Sequence, residues 1–306
     1  MSEAAPIHAV RSAFIDLQER ICSAFEAFDG EARFLVEDIA ADNGGLARPR
    51  VLANGRRLDK AAVQFTHSIG PTLPPAATER NPQLAGLPFE AVAISLITHP
   101  KNPHVPTSHM NLRFFAVHSD PLTWYFGGGY DLTPVYGYVE DCVHWHRVAA
   151  GAAGAHYPAW KAACDDYFFL SHRNECRGIG GVFFDDYVIE DRDGGFDAAF
   201  DQVRRGGDSY LPAYLPIIER RCEQPFGEAE KAFQLYRRGR YAEFNLAIDR
   251  GTRYGLQSGR RIESVLASLP PMAAWEYDRQ DPPDSPEAAL ARDFLPPRDW
   301  LAEASV

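Results

Sequence analysis

Residues 91–117 constrain this chain more than any other stretch. AVAISLIT (91–98) is a short apolar run rich in branched residues, the pattern of a buried strand. It leads into HPKNPHVPTS (99–108), where three prolines exclude a helix. HMNLRFFAV (109–117) then alternates, with His109, Asn111 and Arg113 on one face and Met110, Leu112 and Phe114 on the other. The expectation is a sheet with one apolar face and one polar face.

Flanking segments predict the rest of the architecture. Val10, Phe14, Leu17, Ile21, Phe25 and Phe28 recur at steps of three and four before Asp29-Gly30, so an amphipathic helix opens the chain. Residues 31–90 are less regular, and GPTLPPAATERNPQLAGLP (70–88) reads as a long surface loop. LTWYF (122–126), GVFFDDYVI (181–189) and YAEFNLAID (241–249) read as further strands. One helix is predicted with Thr133 as N-cap, Pro134 at its first position and Gly151 past its end, placing His146 on a buried stripe. A second, YPAWKAACDDYFFLSHR (157–173), aligns Trp160, Cys164, Phe168 and His172, so His172 is also expected to be buried. The strands do not alternate regularly with helices. This favours an α+β fold, a large mainly antiparallel β-sheet flanked by α-helices on both sides, over a doubly wound one. The chain is taken as a single domain, 1–306, whose acidic, proline-rich tail (278–306) wraps its surface.

Charge and cysteines narrow the function classes. A formal charge of -11 argues against a nucleic-acid partner, so an anionic ligand would need a local basic cluster. The five cysteines are scattered without a CxxC, which points to reduced thiols and away from a disulfide framework or a structural zinc. The N-terminus lacks the pattern of a signal peptide and no segment is apolar enough to span a bilayer, so a cytoplasmic location is expected.

The chemistry-bearing residues leave several readings open. His99, His109, His146 and His172 are all of a type that a divalent metal accepts, but their spacing equally suits core histidines. His109 stands apart because it shares a strand face with Asn111 and Arg113. WYFGGGYDLTP (124–134) and RGIGGVFFDD (177–186) match no nucleotide-binding fingerprint. They are either tight turns or places where bare backbone lets a large flat ligand approach. Asp131 is either a turn residue or a carboxylate held beside that ligand. Arg113, Arg173, Arg177, Arg260 and Arg261 are candidates for binding carboxylates through the guanidinium fork. Together these features describe a site for a large apolar ligand with acidic arms.

The segments SLITHPKNPHVPTSHMNLRFF, WYFGGGYDLTP, KAACDDYFFLSHRNECRGIGGVFFDD and FNLAIDRGTRYGLQSGRRIESVLASLPP, with a final WEY, resemble the oxygen-dependent coproporphyrinogen-III oxidases. The resemblance implies an enzyme of haem biosynthesis that converts two propionates of coproporphyrinogen III into the vinyls of protoporphyrinogen IX. Molecular oxygen would be co-substrate, with no flavin, haem or nucleotide. It further implies a homodimer with residues 241–277 in its dimer-forming region. His109 matches the family's acid/base candidate and Asp131 the aspartate thought to engage the pyrrole N–H groups. Ser95, Asn111, Leu112, Arg113, Gly259, Arg260 and Arg261 match substrate-contacting positions. His99, His109, His146 and His172 match suggested metal positions; a metal-bound His109 would not serve as a free acid/base in the same state. The chain departs from the family pattern at Ala163, where Trp is common, and at Arg260, which replaces a small residue. The competing classes are a divalent-metal hydrolase or oxygenase built on the four histidines, and a tetrapyrrole-binding protein without catalysis.

Overall fold

A computed structural model describes residues 4–73, 81–257 and 261–305. Its centre is an antiparallel sheet of eight strands among the described residues, in the order β1-β3-β4-β5-β6-β7-β10, with β2 paired to β3. The long strands are β3 (Leu46–Ala53), β4 (Leu58–Gly70), β5 (Phe89–Pro100), β6 (Thr107–Val117), β7 (Thr123–Thr133) and β10 (Gly180–Tyr187); β1 (Leu35–Val36) and β2 (Ile39–Ala40) are short edge pieces. β8 (Phe169–Leu170) and β9 (Glu175–Cys176) pair separately as a small hairpin. Neighbours in sequence pair in space, so the sheet is a meander with no crossover from β3 to β7.

Alternation along each strand assigns two layers. Val63, Phe65, Val92, Ile94, Leu96, Met110, Leu112, Phe114 and Phe126 face the main core. They meet α1 (Ala4–Asp29), whose predicted stripe from Val10 to Phe28 is buried throughout, and α4 (Gly195–Arg221), through Phe196, Phe200, Tyr210 and Tyr214. α2 (Val139–Ala153) packs behind α4, and α3 (Tyr157–Tyr167) covers β10. The opposite face lies under α5 (Glu228–Ala247), α6 (Arg250–Gln257) and α7 (Ile262–Val265), where Tyr241 packs on Ala62 and Ile97. Asp29 ends α1 by accepting hydrogen bonds from the amides of Ala32, Arg56, Arg57 and Leu58 at 2.9–3.0 Å. Burial opposes its ionisation, yet these four donors lower its pKa to about 2.

Four expectations need correction. β3 and β4 occupy a region read as irregular: LDKAAVQFTHSIG mixes polar and apolar residues because one face of β4 is core and the other lines a cavity. The segment 241–249 is not a strand: 241–247 end α5 and 248–249 follow it; buried Phe233, Arg237, Arg240, Tyr241 and Phe244 keep a helical period that their arginines disguise. Thr133 closes β7 and the helix starts at Val139, because Thr133 completes the β6–β7 ladder opposite Thr107. α3 stops at Tyr167, so His172 falls in the β8–β9 turn and is exposed. Of the loop predicted at 70–88, residues 74–80 lie outside the described residues; 82–84 form one turn of 3₁₀ helix. The tail crosses the surface over α8 (Pro286–Ala289) and is fastened by Leu290, Phe294, Leu295 and Trp300, which enter the main core.

Candidate active site

In-register pairing brings the polar residues of four strands together. On the face away from α1 and α4, His109 lies between Ile97 and Asp131, Asn111 between Ser95 and Gly129, and Arg113 between Ala93 and Gly127. Gln64 extends the middle row through Ser95. Small residues at 91, 93 and 95 leave room above, and a cavity of about 270 Å³ opens there, roofed by α5, α6 and α7. Ser95, His109, Asn111 and Arg113 line it as expected. The Leu112 side chain does not: strand alternation turns it into the core, leaving only its backbone in this sheet layer.

Behind His109 stands a buried ion pair. His109 Nδ1 is 2.9 Å from Asp131 Oδ1, and the Arg177 guanidinium donates to both Asp131 oxygens at 2.8 and 2.9 Å. Arg177 also donates to Asn245 and stacks over Phe168, Tyr241 and Phe244, with its central carbon 4.2–4.5 Å from the ring centroids. Removing two charges from water is costly, and this set of bidentate and aromatic contacts offsets the cost. Burial favours neutral Asp131, but Arg177 and His109 outweigh it and hold the carboxyl below its ordinary pKa. Burial likewise opposes the Arg177 charge, and Asp131 overcomes it. Asp131 is 1% exposed and is not part of the cavity wall. It therefore meets His109 rather than the cavity, and with Nδ1 bound to a carboxylate, Nε2 is the nitrogen left for other partners.

The glycine run supports this floor. A Cβ at Gly127 would come within 2.9 Å of the Arg113 guanidinium, and at Gly129 (φ 144°) one would lie 2.0 Å from the Val182 carbonyl. Arg113 is held by Asn111 Oδ1 at 2.8 Å and by an ion pair to Asp185, whose other oxygen accepts from Arg250 at 2.6 Å. Floor and roof are thus bridged by one carboxylate between two arginines.

The family model for coproporphyrinogen III oxidase matches residues 9–300. The chain belongs to this family. A coproporphyrinogen oxidase performs the oxidative decarboxylation of coproporphyrinogen III in porphyrin and haem biosynthesis, and this cavity combines aromatic walls with arginines suited to such a tetracarboxylate.

The four histidines do not converge. His99 is fully buried, with Nε2 donating to the Ser268 carbonyl at 2.9 Å. His146 donates to the Ile179 carbonyl and accepts from the Tyr157 hydroxyl, each at 2.9 Å, so both its nitrogens are engaged. Burial pushes its pKa down to about 3 and that of His99 well below the ordinary value. His172 pairs with Glu243 on the surface. Among the described residues no group of three or more His, Cys, Asp or Glu side chains is arranged to hold a metal ion, and these four do not fit a shared one.

Other expected site residues lie elsewhere. Arg261 pairs with Glu37 at 2.9 Å and Glu263 at 3.3 Å, outside the cavity lining. Gly259 and Arg260 lie outside the described residues. Arg173 grips Glu243 on the surface, while Arg177 is the buried partner of Asp131. Sequence reasoning missed Gln64, Asp185, Asp249 and Arg250, all of which line the cavity. The charged run DRGTRYG (249–255) was a usable signal for the last two, but the strand reading of 241–249 took in Asp249 and stopped short of Arg250.

Proposed function

We propose that this coproporphyrinogen oxidase passes its electrons to molecular oxygen, without flavin, haem or nucleotide, and that His109 is the group exchanging protons with the substrate. Each arm changes from –CH2CH2CO2⁻ to –CH=CH2 and releases CO2, one proton and two electrons. Oxygen takes the two electrons and leaves as hydrogen peroxide, using the proton released by the arm, which passes through His109 Nε2, and one more from solvent. Asp131 stabilises the imidazolium so formed and keeps the ring oriented, in place of touching the pyrrole N–H groups itself. Removal of a pyrrole proton by His109 makes the ring electron-rich enough to react with oxygen directly. Arg113, with Arg250 opposite, supplies positive charge for the propionates. The observation that carries this reading is the dyad itself: a cavity-lining imidazole backed by a buried, ionised carboxylate.

A homodimer formed through 241–277 is part of the same proposal; exposed Leu246, Leu256, Ile262, Met272, Trp275 and Tyr277 in that segment support it. A cytoplasmic location is likewise proposed; among the described residues no helix is long and apolar enough to cross a membrane. The test is to incubate the protein with coproporphyrinogen III in air and under nitrogen, each with and without EDTA, and to chromatograph the oxidised porphyrins. Loss of two carboxylates in air, with or without chelator, is expected. Equal conversion under nitrogen overturns oxygen as acceptor, and loss of conversion with EDTA restores a metal requirement.

A further inference from the structure

We propose that Gln64 binds a substrate carboxylate, its side-chain amide donating to one propionate of the porphyrinogen. The amides of the fully buried Gln and Asn residues described have all found protein acceptors. Gln18 Nε2, on the opposite side of β4, donates to the carbonyls of Arg48 and Val63 at 2.7 and 2.9 Å. Gln202 and Gln234 each donate to a carbonyl at 2.9 Å, Asn102 reaches the carbonyls after α4, and Asn245 donates to Ser268 at 3.1 Å. Gln64 Nε2 is buried without any partner, on a side chain that lines the cavity. Buried donors are rarely left unpaired, so a polar group supplied from the cavity is expected to complete this one.

Substrate chemistry limits what that group is. All four ring nitrogens of a porphyrinogen carry hydrogen, with their lone pairs in the pyrrole π systems, so they donate and do not accept. Carboxylate oxygens are its only strong acceptors. Gln64 lies in one cross-strand row with Ser95 and Asn111. Two strand spacings separate its strand from that of Asn111, roughly 10 Å. The amide therefore meets a different arm of the macrocycle from the one beside Arg113. This assignment rests on the reading of this sheet face as the substrate floor.

Steady-state kinetics on coproporphyrinogen III test it, using wild type, Gln64→Met and Gln64→Glu, with thermal melts for each. Met keeps the length and volume while deleting the donors, and Glu places a negative charge at the same point. A charge-assisted hydrogen bond predicts a KM for Gln64→Met raised about tenfold or more, with kcat within about twofold. Gln64→Glu should show a larger rise that shrinks as the pH falls toward its carboxyl range. A KM for Gln64→Met within about twofold of wild type overturns the assignment. So does a Gln64→Glu variant no worse than Gln64→Met, or a loss confined to kcat. Wild type that fails to turn over coproporphyrinogen III would instead overturn the proposed function.

Discussion

Ser108 and His109 are adjacent on β6, yet they enter two different kinds of polar network. On the core face, Ser108 bonds the Tyr210 hydroxyl at 2.6 Å and Thr98 at 3.0 Å; Thr98 donates to Tyr214, which donates to the Pro106 carbonyl. All four side chains are neutral and buried, and the chain ends on backbone. On the cavity face the network is charged, Arg177 to Asp131 to His109, and it ends on a ring nitrogen that the protein leaves for something else. A network that closes on itself specifies packing; one that stops at a cavity leaves a group available for chemistry. Alternation of strand side chains puts the two within one residue of each other.

Variants on either side separate these roles. His109→Ala should lower turnover by about 10²–10⁴-fold while leaving the thermal midpoint close to wild type. A lowered midpoint with normal turnover would mean that His109 belongs with the packing network. Asp131→Ala should abolish turnover and, by stranding buried Arg177, cost about 3–5 kcal/mol in urea unfolding. Asp131→Leu combined with Arg177→Met should recover much of that stability without activity; recovery of turnover would show that the ion pair serves packing alone.

Acid should discriminate less sharply but over a predictable range. Asp29, with a folded pKa near 2, contributes stability that is present above its ordinary value of 3.8 and lost as pH falls toward 2. His146, neutral when folded down to about 3, binds protons in the unfolded chain below 6.5, so stability also declines as pH falls from 6.5. Urea midpoints for wild type and His146→Gln at pH 7, 5.5 and 4.5 should diverge at 7 and converge toward 4.5 if burial of neutral His146 is responsible. The smallest effect is expected from Tyr210→Phe, about 1 kcal/mol of stability with unchanged kcat. Altered kcat there would show that the two networks communicate through the sheet.

The legible parts of the molecule were those with a local period. The α1 stripe, the apolar run of β5 and the alternation of β6 each repeat over a few residues, and the structure places them as expected. β4 was hidden because its cavity face carries Lys60, Gln64, Thr66 and Ser68 beside Ala62, so its alternation lacked contrast. α5 was hidden by buried charge: Arg237, Arg238 and Arg240 lie inside, paired with Glu175 and Asp59 from other elements and, for Arg240, with Glu243 of the same helix. Of the candidate site, the β6 triplet was readable from its strand and Ser95 only through the family resemblance, whereas the mutual pairing of Asp131 and Arg177 was not readable at all.

The sequence by itself determined which faces exist: strand and helix periods depend on neighbouring residues, so they decided that His109, Asn111 and Arg113 would look the same way. It also carried the family's ordered motifs across most of the chain. Only tertiary structure decided what those residues meet. Asp131 and Arg177 are 46 residues apart, and Arg113 and Asp185 are 72 apart. Coulomb and hydrogen-bond energies depend on distances that only the closed sheet and its helical roof establish. That closure turned a predicted ligand-facing aspartate into the support of a histidine, dispersed a predicted metal set, and left one glutamine amide without a partner.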